Sequence, residues 1–265
     1  MDNVQYITTQ DASLNLIQGD YAQFAFQRHY HLDYHIGLIT DGGQKFVYKG
    51  AQHRVGKNEL VIIPPDEMHD GQSLREGGYK VNVFCIAPDW FTNTFELSGV
   101  NSESLSFNNL VIQDTDIFAP LQQLHHHLKN PSISSLAKDC LPFEGFEPLV
   151  TRYTKARLSP INRIGNQPFK TLKDYMMENL DQPIRLSTLA ELCQLSTIQL
   201  QRHFKAQIGM TPYAWLARLR LEQSMKLLQG GEAPLSVAMK VGFYDQAHFS
   251  KAFKKAYRVS PSFFM

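Results

Sequence analysis

The chain has 265 residues, 43% of them apolar and 19% charged, with a formal net charge of +1. That is length for about two domains with globular cores. No stretch approaches the ~18 consecutive apolar residues of a membrane helix, and three cysteines, Cys85, Cys140 and Cys193, exclude a paired disulfide framework. The near-zero charge hides a division. Residues 1–166 carry 13 Lys and Arg against 18 Asp and Glu, whereas residues 167–265 carry 13 against 7. A basic half of this kind suits a phosphate-binding surface. The opening Met-Asp-Asn-Val-Gln has neither a basic region nor an apolar core, so no signal peptide is expected and the expected location is the cytoplasm.

From residue 5 to residue 90 the pattern is that of strands. Leu14–Gln18, Ala22–Gln27, Tyr34–Thr40, Gln44–Lys49, Glu59–Ile63 and Tyr79–Ile86 are short and rich in β-branched and aromatic residues. Asp41-Gly42-Gly43, Gly56-Lys57-Asn58 and Gly77-Gly78 punctuate them as turns. Six or more short strands in this span predict an antiparallel barrel or sandwich. The character changes after residue 91. Ile117, Leu121, Leu124 and Leu128 form one helical stripe, and a second helical stretch runs from about Ser134 to Arg157, interrupted by Pro142 and Pro148. The stripe suits either pairing with a second copy or packing on the barrel. His125, His126 and His127 point 100° apart around a helix and cannot converge on one ion, so they are expected to be a solvated run. Ser159–Gln167 is expected to be the linker.

The last hundred residues contain two helix-turn-helix units. In the first, Leu186, Leu189, Leu192 and Cys193 mark a short apolar helix. Ser196-Thr-Ile-Gln199 has the form of a capping box that restarts the chain as a second helix, with Leu200 and Phe204 inward. Gln199, Gln201, Arg202 and Lys205 lie off that stripe. Thr211-Pro212 then opens a helix that runs to about Gln229 and stops at Gly230-Gly231. Its roughly 18 residues span about 27 Å, of the order of the ~34 Å between successive major-groove faces. The second unit repeats the plan. A short helix from Leu235 ends at Gly242, and Asp245 caps a helix from Gln246 to Tyr257 whose inward side carries Phe249 and Phe253. Gln246, His248, Lys251, Lys254 and Lys255 lie mostly away from that side.

These pieces resemble the DNA-binding domain of AraC/XylS-type transcriptional regulators. The match runs through Leu189-Ala190, Ser196 to Lys205, Gly209-Met-Thr-Pro212, Arg220-Leu221, Leu227-Leu228, Val241-Gly242-Phe243, Asp245 to Lys254 and Ser260-Pro261. Gln194 and Arg258 stand where that family usually has glycine. More loosely, His29-Tyr-His31, Asp41-Gly-Gly43, Gly56, Glu59 to Pro65 and His69 resemble the cupin-like ligand-binding domain found in front of many such DNA-binding domains. The resemblance implies an α+β chain of two domains. It predicts a cupin-like or jelly-roll-like barrel at 1–100, a helical connector at 101–158 that includes possible dimerisation helices, a linker at 159–167 and the DNA-binding domain at 168–265. The two reading units fall at about 186–207 and 235–257.

By the same resemblance the partners are a double-stranded DNA operator, a small-molecule effector and RNA polymerase, with a homodimer compatible; the chain is a regulator, more often an activator, and not an enzyme. Ile198, Gln201 and Arg202 in the first unit and Gln246, His248 and Lys251 in the second are the expected base readers. Gln199, Lys205, Lys254 and Lys255 complete the expected DNA surface. The expected effector pocket comprises Arg28, His29, His31, Tyr34, His35, Tyr48 and His69, with Trp90 as a neighbour. Metal-binding cupins place His-x-His, a Glu four residues on, and a distant His. Here His29 and His31 are followed by His35 where that Glu would stand, and by His69. The expectation is therefore a pocket without a cofactor. Two alternatives stay open: a metal-dependent cupin holding its ion with His29, His31, His35 and His69, and a barrel that only oligomerises.

Overall fold

The computed structural model describes residues 2–98, 105–161 and 163–264. Positions 1 and 99–104, at the junction of the expected barrel and connector, position 162 of the expected linker and position 265 lie outside the described residues. In chain order the strands are β1 (Asn3–Ile7), β2 (Leu14–Tyr21), β3 (Phe26–His29), β4 (Tyr34–Tyr48), β5 (Ala51–Gly56), β6 (Leu60–Ile63), β7 (His69–Ser73), β8 (Tyr79–Ile86), β9 (Leu97–Ser98), β10 (Val111–Ile112) and β11 (Arg157–Leu158). The helices are α1 (Trp90–Phe95), α2 (Thr115–Lys129), α3 (Ser135–Tyr153), α4 (Asn166–Glu178), α5 (Leu186–Leu192), α6 (Thr197–Ile208), α7 (Pro212–Gln229), α8 (Pro234–Lys240) and α9 (Gln246–Tyr257). Contacts divide the chain into two units, one of residues 1–133 and 141–159, the other of residues 134–140 and 160–265.

In the first unit β4 is the strand around which the others are arranged. Its first half pairs with β8 and β6, and its second half pairs with β5 and β7. The ladder continues as β1-β2-β8-β4-β6-β10, with β3 on β7. Asp41-Gly42-Gly43 was expected to be a turn, but the strand runs through it. A register shift between Ile39 and Asp41 and a left-handed Gly42 at φ 68° bend the strand there instead of reversing it. The reversal comes at Lys49 and Gly50, both with positive φ, a two-residue hairpin that sets Tyr48 opposite Ala51. Strands β1, β5 and β7 escaped the sequence reading because they are polar or short.

Strand alternation gives this sheet two apolar faces. Tyr34, Ile36, Leu38, Leu60, Ile62, Phe84 and Ile86 pack with α1, α2 and the later part of α3. Ile39, Phe46, Val55, Val61, Ile63, Tyr79 and Val81 form the other face. The stripe Ile117, Leu121, Leu124 and Leu128 is buried in the first of these cores, so it packs on the barrel rather than standing open. Pro142 and Pro148 do not break α3, which runs unbroken for 19 residues. Each proline removes an N–H, but Phe143, Phe146, Leu149 and Val150 are buried along the helix and hold it by tertiary packing.

His125 corrects a third expectation. His126 and His127 are exposed, but His125 is buried, its Nε2 3.2 Å from the Ile17 carbonyl oxygen and its ring edge-on to Phe84. Burial first, and then the charge of Lys129, push its pKa down to about 4. The unfolded imidazole titrates near 6.5, so between those values the unfolded chain binds the extra proton. The stabilising effect of the neutral ring is therefore complete above about pH 6.5 and is lost as pH falls towards 4, by up to about 1.4 kcal/mol per pH unit. A His125→Gln variant should show a flatter acid limb in a plot of thermal midpoint against pH. An acid limb as steep as that of the parent would mean that other groups carry it.

In the second unit the local signals decide the elements. Ser196 accepts from the Gln199 N–H and the Gln199 side chain accepts from the Ser196 N–H, both at 3.1 Å, closing the capping box. Thr211 caps α7 with Pro212 at its start, and Asp245 accepts from the His248 N–H at 2.6 Å to cap α9. One core joins α4, α5 and α6 through Phe169, Leu172, Leu189, Leu200 and Phe204. Another joins α7, α8 and α9 through Leu221, Leu228, Val237, Phe249 and Phe253. Arg220 of α7 donates from Nε and Nη2 to the Leu180 carbonyl at 3.0 and 2.7 Å, tying α7 to the loop after α4. Gly242 packs against the same carbonyl at φ 76°, where a Cβ would collide with it.

Gln194 and Arg258 adopt left-handed φ of 55° and 66°, a region costly for a residue with a side chain. Gln194→Gly and Arg258→Gly are each expected to raise stability in chemical denaturation, by up to about 1 kcal/mol. A loss of stability would show that the side chain contributes more than the strain costs.

Candidate functional site

The interior of the barrel is a cavity of about 680 Å³, within the usual size range of small-molecule pockets. Its walls are the inward alternate residues: Ile17 and Tyr21 of β2, His35, Gly37 and Phe46 of β4, Val61 and Ile63 of β6, and Tyr79, Val81, Val83 and Cys85 of β8. Polar groups gather at His29, His31 and His69, joined by Asp33, Gln44 and Asp70. Tyr21 packs edge-on to Phe26 and tilted against Tyr79, at 5.0 and 5.3 Å between ring centres, giving one wall an aromatic character.

Of the residues expected in the pocket, His29, His31, His35 and His69 line it. Tyr34 does not. Period-two alternation places His35 inside and Tyr34 on the opposite face, where its hydroxyl donates to the Leu105 carbonyl at 2.7 Å. Arg28 is exposed on β3, out of phase with His29. Tyr48 pairs with His69 across the ladder but is not part of the lining. Trp90 belongs to the helix-facing core and donates from Nε1 to Asp11 at 2.8 Å. The sequence reading missed Tyr21, Phe46, Val61, Ile63, Tyr79 and Val81. The signal was available: alternate positions along β6 and β8 name the inward set once His35 defines the phase.

His31 and His35 lie with rings stacked 3.4 Å apart, and His69 sits 4.7 Å from His31 and 4.3 Å from His29. Burial is the main reason that the His31 pKa falls to about 4 and that of His35 to about 3, with neighbouring imidazoles adding to it. Burial also lowers the pKa of His69. These three rings are neutral at neutral pH. Burial pushes the Cys85 thiol up to about 12, which makes it a poor nucleophile. The four-imidazole metal set contracts to three, because His29, His31 and His69 converge and His35 is not among them.

The residues expected to form the nucleic-acid surface are unevenly exposed. On α9, Gln246, His248, Lys251, Lys254 and Lys255 are all exposed, while Phe249 and Phe253 are fully buried beneath them. On α6, Ile198, Gln199 and Lys205 are half-buried. The Gln199 amide is held by the cap. Gln201 and Arg202 are 5% and 2% exposed, which corrects their placement on an open face. Arg202 lies about 160° around the helix from Phe204, so α6 is buried on a second side that the apolar stripe does not reveal.

The two units thus define a ligand-binding barrel on one polypeptide with a double helix-turn-helix domain. Residues 12–146 match the family model for the AraC-like ligand binding domain, and residues 189–265 match that of a helix-turn-helix domain. The chain belongs to the AraC family of transcriptional regulators. Among curated relatives it is 26% identical over 248 residues to the HTH-type transcriptional activator RhaS of Yersinia pestis bv. Antiqua (strain Angola), covering 90% of this chain and 89% of that protein. It is 24% identical over 223 residues to the HTH-type transcriptional regulator YbfI of Bacillus subtilis (strain 168), covering 84% of this chain and 81% of that one. Among solved structures, the C-terminal domain of the response regulator AraT from Geobacillus stearothermophilus is 30% identical over 39% of this chain and 86% of its own, with a TM-score of 0.35. Unsaturated-fatty-acid-bound ToxT from Vibrio cholerae is 16% identical, covering all of this chain and 94% of that chain, with a TM-score of 0.37. These curated relatives are named as transcriptional regulators, and neither matched model is an enzyme family. Among the described residues no helix is long and apolar enough to cross a membrane.

Proposed function

We propose that this regulator binds a small, largely apolar effector with one polar end in its barrel, and that occupancy changes how it binds its operator. The supporting observation is the 680 Å³ cavity with aliphatic and aromatic walls and a single cluster of imidazoles. Such a ligand would bury its apolar body against Val61, Ile63 and Val81 and direct its polar end to His29, His31 and His69. The effector acts by binding two arrangements of the protein with different affinity. Within the second unit, Gln246, His248 and Lys251 of α9 read base edges, Lys254 and Lys255 neutralise phosphates, and Ile198 of α6 contributes an apolar contact. In this reading Gln201 and Arg202 are not base readers. Activation, contact with RNA polymerase and pairing of two copies on DNA belong to the same proposal.

The test is a thermal melt of the full chain against sugars, amino acids, fatty acids and aromatic metabolites. A ligand at 100 times its Kd stabilises what it binds by about 2.7 kcal/mol. The expected hit is lost on filling the cavity with Val61→Trp and shifts operator affinity in parallel. A hit that survives Val61→Trp, or one that leaves operator affinity unchanged, would overturn the sensor reading.

A further inference from the structure

Three of the four cavity histidines share one hydrogen-bonding arrangement. Nδ1 of His29 lies 2.8 Å from the Gln27 carbonyl oxygen, Nδ1 of His31 lies 3.0 Å from that of Asp33, and Nδ1 of His69 lies 2.9 Å from that of Glu67. A carbonyl oxygen only accepts, so each Nδ1 must carry the proton and donate it. A neutral imidazole has one proton, which leaves Nε2 of each ring as a bare lone pair. The ligand atoms of the three rings lie within 4.8 Å of one another. With Nδ1 of each ring turned to a backbone carbonyl, Nε2 is the nitrogen each ring has left to offer an ion at the point where the three converge.

We infer that His29, His31 and His69 bind a divalent transition-metal ion through their Nε2 atoms, inside the barrel of this regulator. Backbone carbonyls on the distal nitrogens fix tautomer and ring orientation, the usual outer support of a histidine metal ligand. Nitrogens about 2.1 Å from one ion stand roughly 3.3 Å apart, a distance reached by small side-chain rotations. His35, stacked on His31, limits rotation of that ring without joining the set. An all-imidazole set selects Zn²⁺, Ni²⁺, Co²⁺ or Fe²⁺ over Mg²⁺ and Ca²⁺, which prefer oxygen. Three protein ligands leave the ion open positions toward the cavity. The site does not depend on the effector reading, since it requires only the three side chains and their carbonyl partners.

Cobalt decides this. The untagged full chain is stripped with chelator, dialysed and titrated anaerobically with Co²⁺ alone, with visible absorption and thermal midpoint recorded. The expected result is a saturable band at one ion per chain, displaced by Zn²⁺, with a raised midpoint that chelator reverses. Affinity should fall by more than about 100-fold in His29→Ala, His31→Ala and His69→Ala, since losing outer-shell partners alone costs 10–100-fold. His126→Ala, on the exposed side of α2, should bind cobalt like the parent. Each variant is first checked for parental circular dichroism; if the two more constrained ones misfold, half-buried His29 decides. No saturable band, a band that survives in His29→Ala, or one lost equally in His126→Ala overturns the site. An organic effector bound equally well by stripped protein would leave the sensor proposal standing and has no bearing on these outcomes.

Discussion

Alanine at Gln246, His248 or Lys251 is expected to weaken specific operator binding by roughly 1–3 kcal/mol for each side chain that reads a base, and to relax the operator at one position. All three project from the exposed side of α9, while Phe249 and Phe253 anchor its other side. Lys254→Ala and Lys255→Ala should behave differently. They should lower affinity for every DNA sequence alike and reduce the slope of log affinity against log salt by about 1 each. Asp245 caps α9 through the His248 N–H, so the proposed base readers begin on the first turn, where base contacts of a recognition helix concentrate. Operator titrations at several salt concentrations separate the two classes. Should the three changes alter only the salt slope, α9 lies along the backbone and not in the groove.

Phe253→Ala is expected to cost about 3–5 kcal/mol, the range for removing a buried aromatic side chain. Phe253 has no solvent exposure and meets Phe249, Tyr257 and Phe264 at 5.5, 4.7 and 6.1 Å between ring centres. It is the residue through which α9 and the C-terminal Pro261–Phe264 turn share the core with α7 and α8. Its loss should abolish operator binding by loosening α9, while binding in the barrel cavity persists. Phe253→Leu, which keeps more of the volume, should cost less. Denaturant unfolding with a probe in each unit reads this directly. A loss below about 1 kcal/mol would mean that the second core closes around the vacancy.

Both caps of the reading units, the proline start of α7 and the glycine stop at Gly242 could be read from the sequence because each is decided within about four residues. Ser196 and Gln199 satisfy each other's backbone without reference to the rest of the chain. The left-handed turns at Gln194 and Arg258 were legible only through the family resemblance, as departures at positions where that family usually has glycine. Strand β8 was placed to the residue because its alternation is strong, whereas β5 and β7 are recognisable only by their partners on β4.

The histidine pair His29-x-His31 and its distant companion His69 announced a site, but not its membership. Whether Tyr34 or His35 faces the cavity depends on the phase of β4, and adjacent strand residues cannot both point inward. The phase follows from pairing with β6 and β8, more than twenty residues away. Local order along the chain, by itself, determined the helices of the two helix-turn-helix units and the caps at Ser196, Thr211 and Asp245. Tertiary structure alone decided that Gln201, Arg202 and His125 are buried, that β4 bends rather than ends at Gly42, and that three imidazoles, not four, converge. The physical reason is the same in each case. A cap is satisfied by neighbours in sequence, whereas burial and convergence are set by segments that meet only after the chain has folded.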